Sequence, residues 1–179
     1  MRSADWAAGV AAIAFAASVG TATPAHADDF GVALNGTYLV MSDGEWAKKS
    51  IGPHGAGGAD VFRDDVTVVQ TWTVSTDCVS PIECTGTVIS DRGWTAPIRL
   101  DDFWYVDRDV PNWMPCPNGT FAPGHQKFML WGMDPSRNER LTKNTTFLAG
   151  RDMTKTASGA CGRNQTTSVE MPVKMQKLS

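Results

Sequence analysis

Apolar and polar residues alternate along most of this chain. A period of two marks strands with one face in a core and the other in water. Over residues 66–75, Val66, Val68, Gln70, Trp72 and Val74 share one face, and Thr67, Val69, Thr71, Thr73 and Ser75 the other. Its β-branched content suits a pleated, half-buried surface. Near the C-terminus Val169, Met171, Val173 and Met175 alternate with Glu170, Pro172, Lys174 and Gln176. Pro172 cannot donate to a ladder, which predicts an edge or a bulge there. Shorter runs predict strands over residues 37–41, 84–90, 103–108, 126–131 and 145–149, with 84–90 folding back on 66–75 as a hairpin. Asp91-Arg92-Gly93, Asn118-Gly119, Pro123-Gly124 and Ser158-Gly159 read as turns between them. No window of about 11 residues carries a helical period. The expected fold is therefore all-β: a single antiparallel meander of about seven or eight strands, making a closed or nearly closed small barrel. Closure removes exposed edges, while Pro172 leans toward an open seam.

Two segments break the alternation. Residues 1–27 read as a signal peptide. Arg2 gives a positive start, residues 7–20 are apolar, and Ala25-His26-Ala27 offers small residues for cleavage near Ala27. The apolar run falls short of the about 20 residues that span a bilayer. The mature domain is then 28–179, a size suited to one core, secreted or held in the cell envelope without a membrane-spanning segment. The second segment, residues 50–60, holds Gly52, Gly55, Gly57 and Gly58 around Pro53 and His54. It reads as a surface connection between the first two strands or as a lid over a barrel mouth. It has no Gly-Lys-Ser/Thr ending of a phosphate loop.

Charge narrows the partners. The net charge of −3 supplies no basic field for nucleic acid and no polybasic membrane patch. Four cysteines, Cys78, Cys84, Cys116 and Cys161, lie behind the leader and read as a disulfide framework. Cys78 and Cys84 flank a hairpin tip, Val79-Ser80-Pro81-Ile82-Glu83, which leaves Cys116 for Cys161. Loop-closure entropy assigns about 2.4 kcal/mol to the short loop and about 4 kcal/mol to the long one. There is no Cys-x-x-Cys, and His54 and His125 lie at no ligand spacing to a cysteine, so no metal or other cofactor is expected.

Several short motifs occur in a suggestive order: Asn35-Gly36-Thr37-Tyr38, Trp72 before Cys78, Cys84 opening a strand, Trp113-Met114-Pro115-Cys116-Pro117-Asn118-Gly119, Gly159-Ala160-Cys161-Gly162 and Met171-Pro172-Val173. This order resembles a family of small secreted mycobacterial proteins of unknown function. It is similar, more weakly, to the extracellular modules of some mycobacterial Ser/Thr protein kinases, which also carry an opening Gly-Thr-Tyr and two Cys pairs. The resemblance covers nearly the whole mature chain. It implies an exported actinobacterial envelope protein, allows a sensing or binding role, and carries over no catalytic residue.

Catalytic constellations are sparse. No Gly-x-Ser-x-Gly elbow is present, and His54 and His125 sit in turn-like sequence. A secreted hydrolase with paired carboxylates would draw on Asp64, Asp65, Asp101, Asp102, Asp107 and Asp109. Each sits at a strand end or turn, where Asp is common for local reasons, and Asp107-Arg108-Asp109 reads as exposed ion pairs. Tryptophan carries the stronger hint. Of seven in the chain, Trp46, Trp72, Trp94, Trp104, Trp113 and Trp131 lie beyond the leader. They read as core packing, or as a cavity wall for a lipid or glycolipid. Tyr38, Trp72, Trp104 and Trp113 are the expected ligand-binding side chains. The functional expectation is a non-catalytic exported domain that binds a hydrophobic ligand or an envelope protein. The alternatives are the hydrolase and a partner-binding, sensor-like module.

Overall fold

A computed structural model describes residues 30–51 and 61–179 of the chain. The predicted leader with its cleavage position at Ala27, and residues 52–60 of the glycine-rich segment with His54, lie outside the described residues. Eleven strands follow: β1 (Gly36–Ser42), β2 (Lys48–Ile51), β3 (Val61–Phe62), β4 (Val68–Ser80), β5 (Glu83–Ser90), β6 (Trp94–Asp101), β7 (Phe103–Pro115), β8 (Phe121–Asp134), β9 (Glu139–Arg140), β10 (Phe147–Lys155) and β11 (Thr167–Lys177). Eight of them form the antiparallel circuit β1-β4-β5-β6-β7-β8-β10-β11, and β11 pairs back on β1 to close it. The chain is an all-β closed barrel with two disulfides, Cys78–Cys84 and Cys116–Cys161. Among the described residues no helix is long and apolar enough to cross a membrane.

The alternation read from the sequence is the inside-outside pattern of this barrel. Gln70, Trp72 and Val74 of β4 are buried, as are Val173 and Met175 of β11. Pro172 sits in neither an edge strand nor a gap in the β10–β11 ladder. Its ladder partner there is Arg151. On its other side the neighbour changes from β1, which pairs with residues 173–177, to β2, which pairs with residues 167–170. The 3-10 turn Gly44–Trp46 fills that interval, and Asp43 N donates to Pro172 O at 2.8 Å. A strand residue presents its N–H and C=O to the same side, so the missing N–H faces the one interval where no ladder bond is required.

Two expectations need correction. Residues 94–101, which carry no strand among those predicted, form β6, with Pro97 inside it. Its ladder to β7 runs only from Ile98 to Asp101, so Pro97 lies beyond it. Pro123-Gly124, expected as a turn, lies inside β8. The β7–β8 register jumps between Val110 and Met114, which pair with Gly124 and Ala122. Pro123 therefore faces a bulge and needs no ladder bond there.

The two barrel ends differ. At one end the segment before β1 closes the interior: Val32 and Leu34 are buried in the same core as Cys78, Cys84, Leu100 and Trp104. Thr76 ties that segment down. Its Oγ1 accepts from Leu34 N at 2.9 Å and donates to Leu34 O at 3.1 Å, and its backbone N donates to Asn35 Oδ1 at 2.7 Å. Among the described residues nothing closes the other end, reached by residues 68–70, 90–94, 108–115 and 167–171.

Candidate functional site

A cavity of about 750 Å³ occupies the open end. Its walls include Trp94 at the start of β6, Trp113 and Met114 in the β7 bulge, Val169 and Met171 of β11, and Val68 of β4. The bulge creates the Trp113 wall. Asn112 takes a left-handed φ of 53°, a conformation that Asn tolerates better than most residues, and the chain there turns out of the ladder. Gly124 then lets the indole lie against the β8 backbone. A Cβ at that position would stand 2.8 Å from Trp113 Cδ2 and 2.8 Å from Thr154 Cγ2.

Beneath the cavity lies a layer of inward-facing polar side chains. Asp152 of β10 is 1% exposed. Its Oδ2 accepts from Ser42 Oγ at 2.7 Å and its Oδ1 from Gln126 Nε2 at 2.8 Å. Gln126 Oε1 in turn accepts from Arg108 Nε at 2.7 Å. The Arg108 guanidinium lies over the Trp94 ring, 4.4 Å from its centroid, at the place where the β6–β7 ladder has ended. A second pair continues the layer, with Ser90 Oγ donating to Gln70 Oε1 at 2.8 Å.

Burial pushes the Asp152 carboxyl above the usual carboxylate range, against the opposing effects of Ser42, Gln126 and the Arg108 charge. Burial likewise lowers the Arg108 value, and Asp152 opposes that shift. The raised Asp152 value has a defined consequence for stability. The folded state binds the proton more tightly than the unfolded chain, so this residue's contribution is full below the unfolded value and is lost as pH rises through the folded one. Asp152→Asn is neutral at every pH. Its amide can accept from Gln126 and donate to Ser42 Oγ. The stability of Asp152→Asn relative to the wild type should therefore rise between pH 4 and pH 7. Urea midpoints at the two pH values test this, and a relative gain by the wild type over that interval contradicts it.

The sequence-predicted ligand set divides between core and cavity. Tyr38, Trp72 and Trp104 are 0%, 0% and 4% exposed. Trp72 packs edge-on to Phe128 and to Trp94, with centroids 4.9 and 5.5 Å apart, so it supports the cavity floor from below. Burial pushes the Tyr38 phenol up to about 12. Trp113 alone of the four lines the cavity. Trp94, Arg108, Gln126 and Asp152 join it there and were not singled out as ligand residues. Arg108 corrects the reading of Asp107-Arg108-Asp109 as exposed ion pairs. Among the described residues Arg108 makes no ion pair, while Asp107 lies within 3.7 Å of Arg99 and Lys127, and Asp109 within 3.0 Å of His125. The signal was available: Trp104, Val106 and Arg108 stand at spacing two, and so do Leu148, Gly150, Asp152 and Thr154.

The other carboxylates considered for hydrolysis are spread over the molecule. Asp65 pairs with Lys49 at 2.8 Å on the cavity rim, while Asp102 pairs with Arg140 at 2.9 Å at the β6–β7 turn. Asp101 lies 3.6 Å from Arg99, and Asp64 is exposed. Among the described residues no group of three or more His, Cys, Asp or Glu side chains is arranged to hold a metal ion.

No family model matches the chain, and no curated protein matches it. Among solved structures it is similar to the monomer form of the M. tuberculosis PknI sensor domain, with a TM-score of 0.52 and 14% sequence identity, over 82% of this chain and 88% of that one. At that identity the likeness shows the fold, and it agrees with the weak similarity to kinase extracellular modules expected from Asn35-Gly36-Thr37-Tyr38 and the two Cys pairs.

Proposed function

We propose that this chain is an exported, non-catalytic, sensor-like barrel domain of the cell envelope or extracellular space that binds an amphipathic lipid or glycolipid in the cavity at its open end. One observation carries the reading. Among the described residues the barrel is filled and plugged at one end, yet opens at the other into about 750 Å³ walled by Trp94 and Trp113, a volume within the usual range for small-molecule sites. The two disulfides and the fold shared with a sensor domain support an extracellular setting. A signal peptide at 1–27 supplies the route.

Octyl glucoside, kept below its micelle concentration, is a suitable neutral probe. It should quench the tryptophan fluorescence of the oxidised domain with saturation. Trp113→Ala should weaken that binding at least fivefold, because the indole forms one wall of the site and holds no strand pairing of its own. If single-chain amphiphiles of eight to sixteen carbons all fail to produce a saturable change in folded protein, the cavity is not a lipid site.

A further inference from the structure

The charges around the cavity are nearly all accounted for. Lys49 and Asp65 pair with each other at 2.8 Å. Arg92 Nη2 donates to Val69 O at 2.8 Å. Asp109 pairs with His125 at 3.0 Å. Asp152 accepts from Ser42 and Gln126. Arg92 makes no ion pair but is exposed, so the half-buried exception is Arg108. Its Nε is engaged by Gln126, but its two Nη groups make no hydrogen bond or ion pair among the described residues.

The chain of contacts beneath Arg108 fixes how it is presented. Asp152 Oδ1 accepts from Gln126 Nε2, which leaves the amide oxygen for Arg108 Nε. Trp94 supports one face of the guanidinium. The group is thus held at its Nε and at its face, and its Nη donors are left over in a half-buried, mostly apolar site. A guanidinium presents N–H donors that match the two oxygens of a carboxylate, and such charge-assisted bonds are about twice as strong as neutral ones.

We infer that the cavity takes an amphipathic monoanion, a carboxylate-headed chain, with its head on the free Nη donors of Arg108 and its apolar part against Trp113, Met114 and Met171. A carboxylate fits better than a dianionic phosphate ester. The site offers one half-buried guanidinium without an ion pair, since Arg92 is exposed and bound to Val69 O, and buried Asp152 stands behind Arg108 as a counter-charge. A second negative charge on the head would find no second half-buried cation without an ion pair among the described residues. Gln126 is a positioning residue, which turns the guanidinium without touching the ligand.

The inference rests on the proposed cavity function, and a head-group series separates the two. Decanoate, decanol and decyltrimethylammonium share one chain length and differ in charge. Titrated by tryptophan fluorescence into the oxidised domain at pH 7.5, decanoate should bind at least tenfold more tightly than decanol, with the cation weakest. Arg108→Gln should bring the ratio of decanoate to decanol affinity close to one. Arg108→Lys, which keeps the charge but not the fork, should hold an intermediate ratio. Equal affinities for decanoate and decanol in the wild type overturn the head-group assignment and leave the lipid cavity standing. Failure of all three probes, together with octyl glucoside, overturns both. Should Arg108→Gln not fold, the wild-type ratio and its fall in Arg108→Lys decide the matter.

Discussion

Trp72→Ala should destabilise the domain by about 3 to 5 kcal/mol, the range for removing a large aromatic from a packed core. The ring is 0% exposed. It stands at the centre of the barrel wall, opposite Tyr38 on β1 and Ser90 on β5, and meets Phe128 across the interior at 4.9 Å. None of these neighbours can close the gap. Phe128 is anchored in β8 between β7 and β10, and Tyr38 is fixed by its own pairing with both β4 and β11. For a domain of this size the loss corresponds to a fall in Tm on the order of 10 °C. Urea unfolding of the oxidised variant measures it. Because Trp72 also supports Trp94 edge-on at 5.5 Å, the same variant should loosen the cavity floor. A loss below about 1 kcal/mol is incompatible with this ring as the centre of the core.

The sequence discloses the parts of this fold that obey a period of two without interruption. β4 and β11 are of that kind, and so are the hairpin between Cys78 and Cys84 and both disulfide pairings. β6 is obscured because Pro97 follows soon after the Asp91-Arg92-Gly93 turn, and a proline in a strand reads as a break. Only the register shows that Pro97 lies outside the short β6–β7 ladder. Barrel closure is likewise invisible locally. It depends on β1 meeting β11 at the far end of the sequence, and Pro172 points the wrong way unless the turn at Gly44–Trp46 is known. The cavity is harder still. Tryptophan content suggests either core packing or a wall of Tyr38, Trp72, Trp104 and Trp113; the size and apolarity of Trp72 and Trp104 send them to the centre of the barrel, and Trp113 stays at the mouth. The mouth is built instead by a bulge, whose register jump at Trp113 no periodicity reveals, and by an arginine whose two acidic neighbours pair with Arg99, Lys127 and His125 instead. Buried polar layers such as Asp152–Gln126–Arg108 break the hydrophobic pattern that makes the rest legible, and it is at this break that the candidate site lies.

Replacing Cys116 and Cys161 together by Ser should lower stability by about 4 kcal/mol, against about 2 kcal/mol for the chain-entropy share of the Cys78–Cys84 bridge. The difference follows from what each bridge holds. Cys78 and Cys84 are six residues apart and already face one another as ladder partners in the β4–β5 hairpin, so the backbone holds their ends close without the bond. Cys116 and Cys161 are 45 residues apart and join the β7–β8 tip to the 3-10 turn Ala160–Gly162 between β10 and β11. Neither tip is held to the other by a strand ladder, since the β8–β10 pairing ends at His125 and Lys155. The long bridge also stands three residues from Trp113, so its loss should release one wall of the cavity before the barrel itself unfolds. Two readouts then separate global from local effects. The denaturant midpoint of Cys116→Ser/Cys161→Ser should fall by more than that of Cys78→Ser/Cys84→Ser. In the long-bridge variant alone, tryptophan emission should shift to the red under native conditions, as Trp113 swings into water while Trp72 and Trp104 stay buried. Equal losses from the two pairs, with no change in native emission, would show that the tips are held by their own turns and that the long bridge does not shape the cavity.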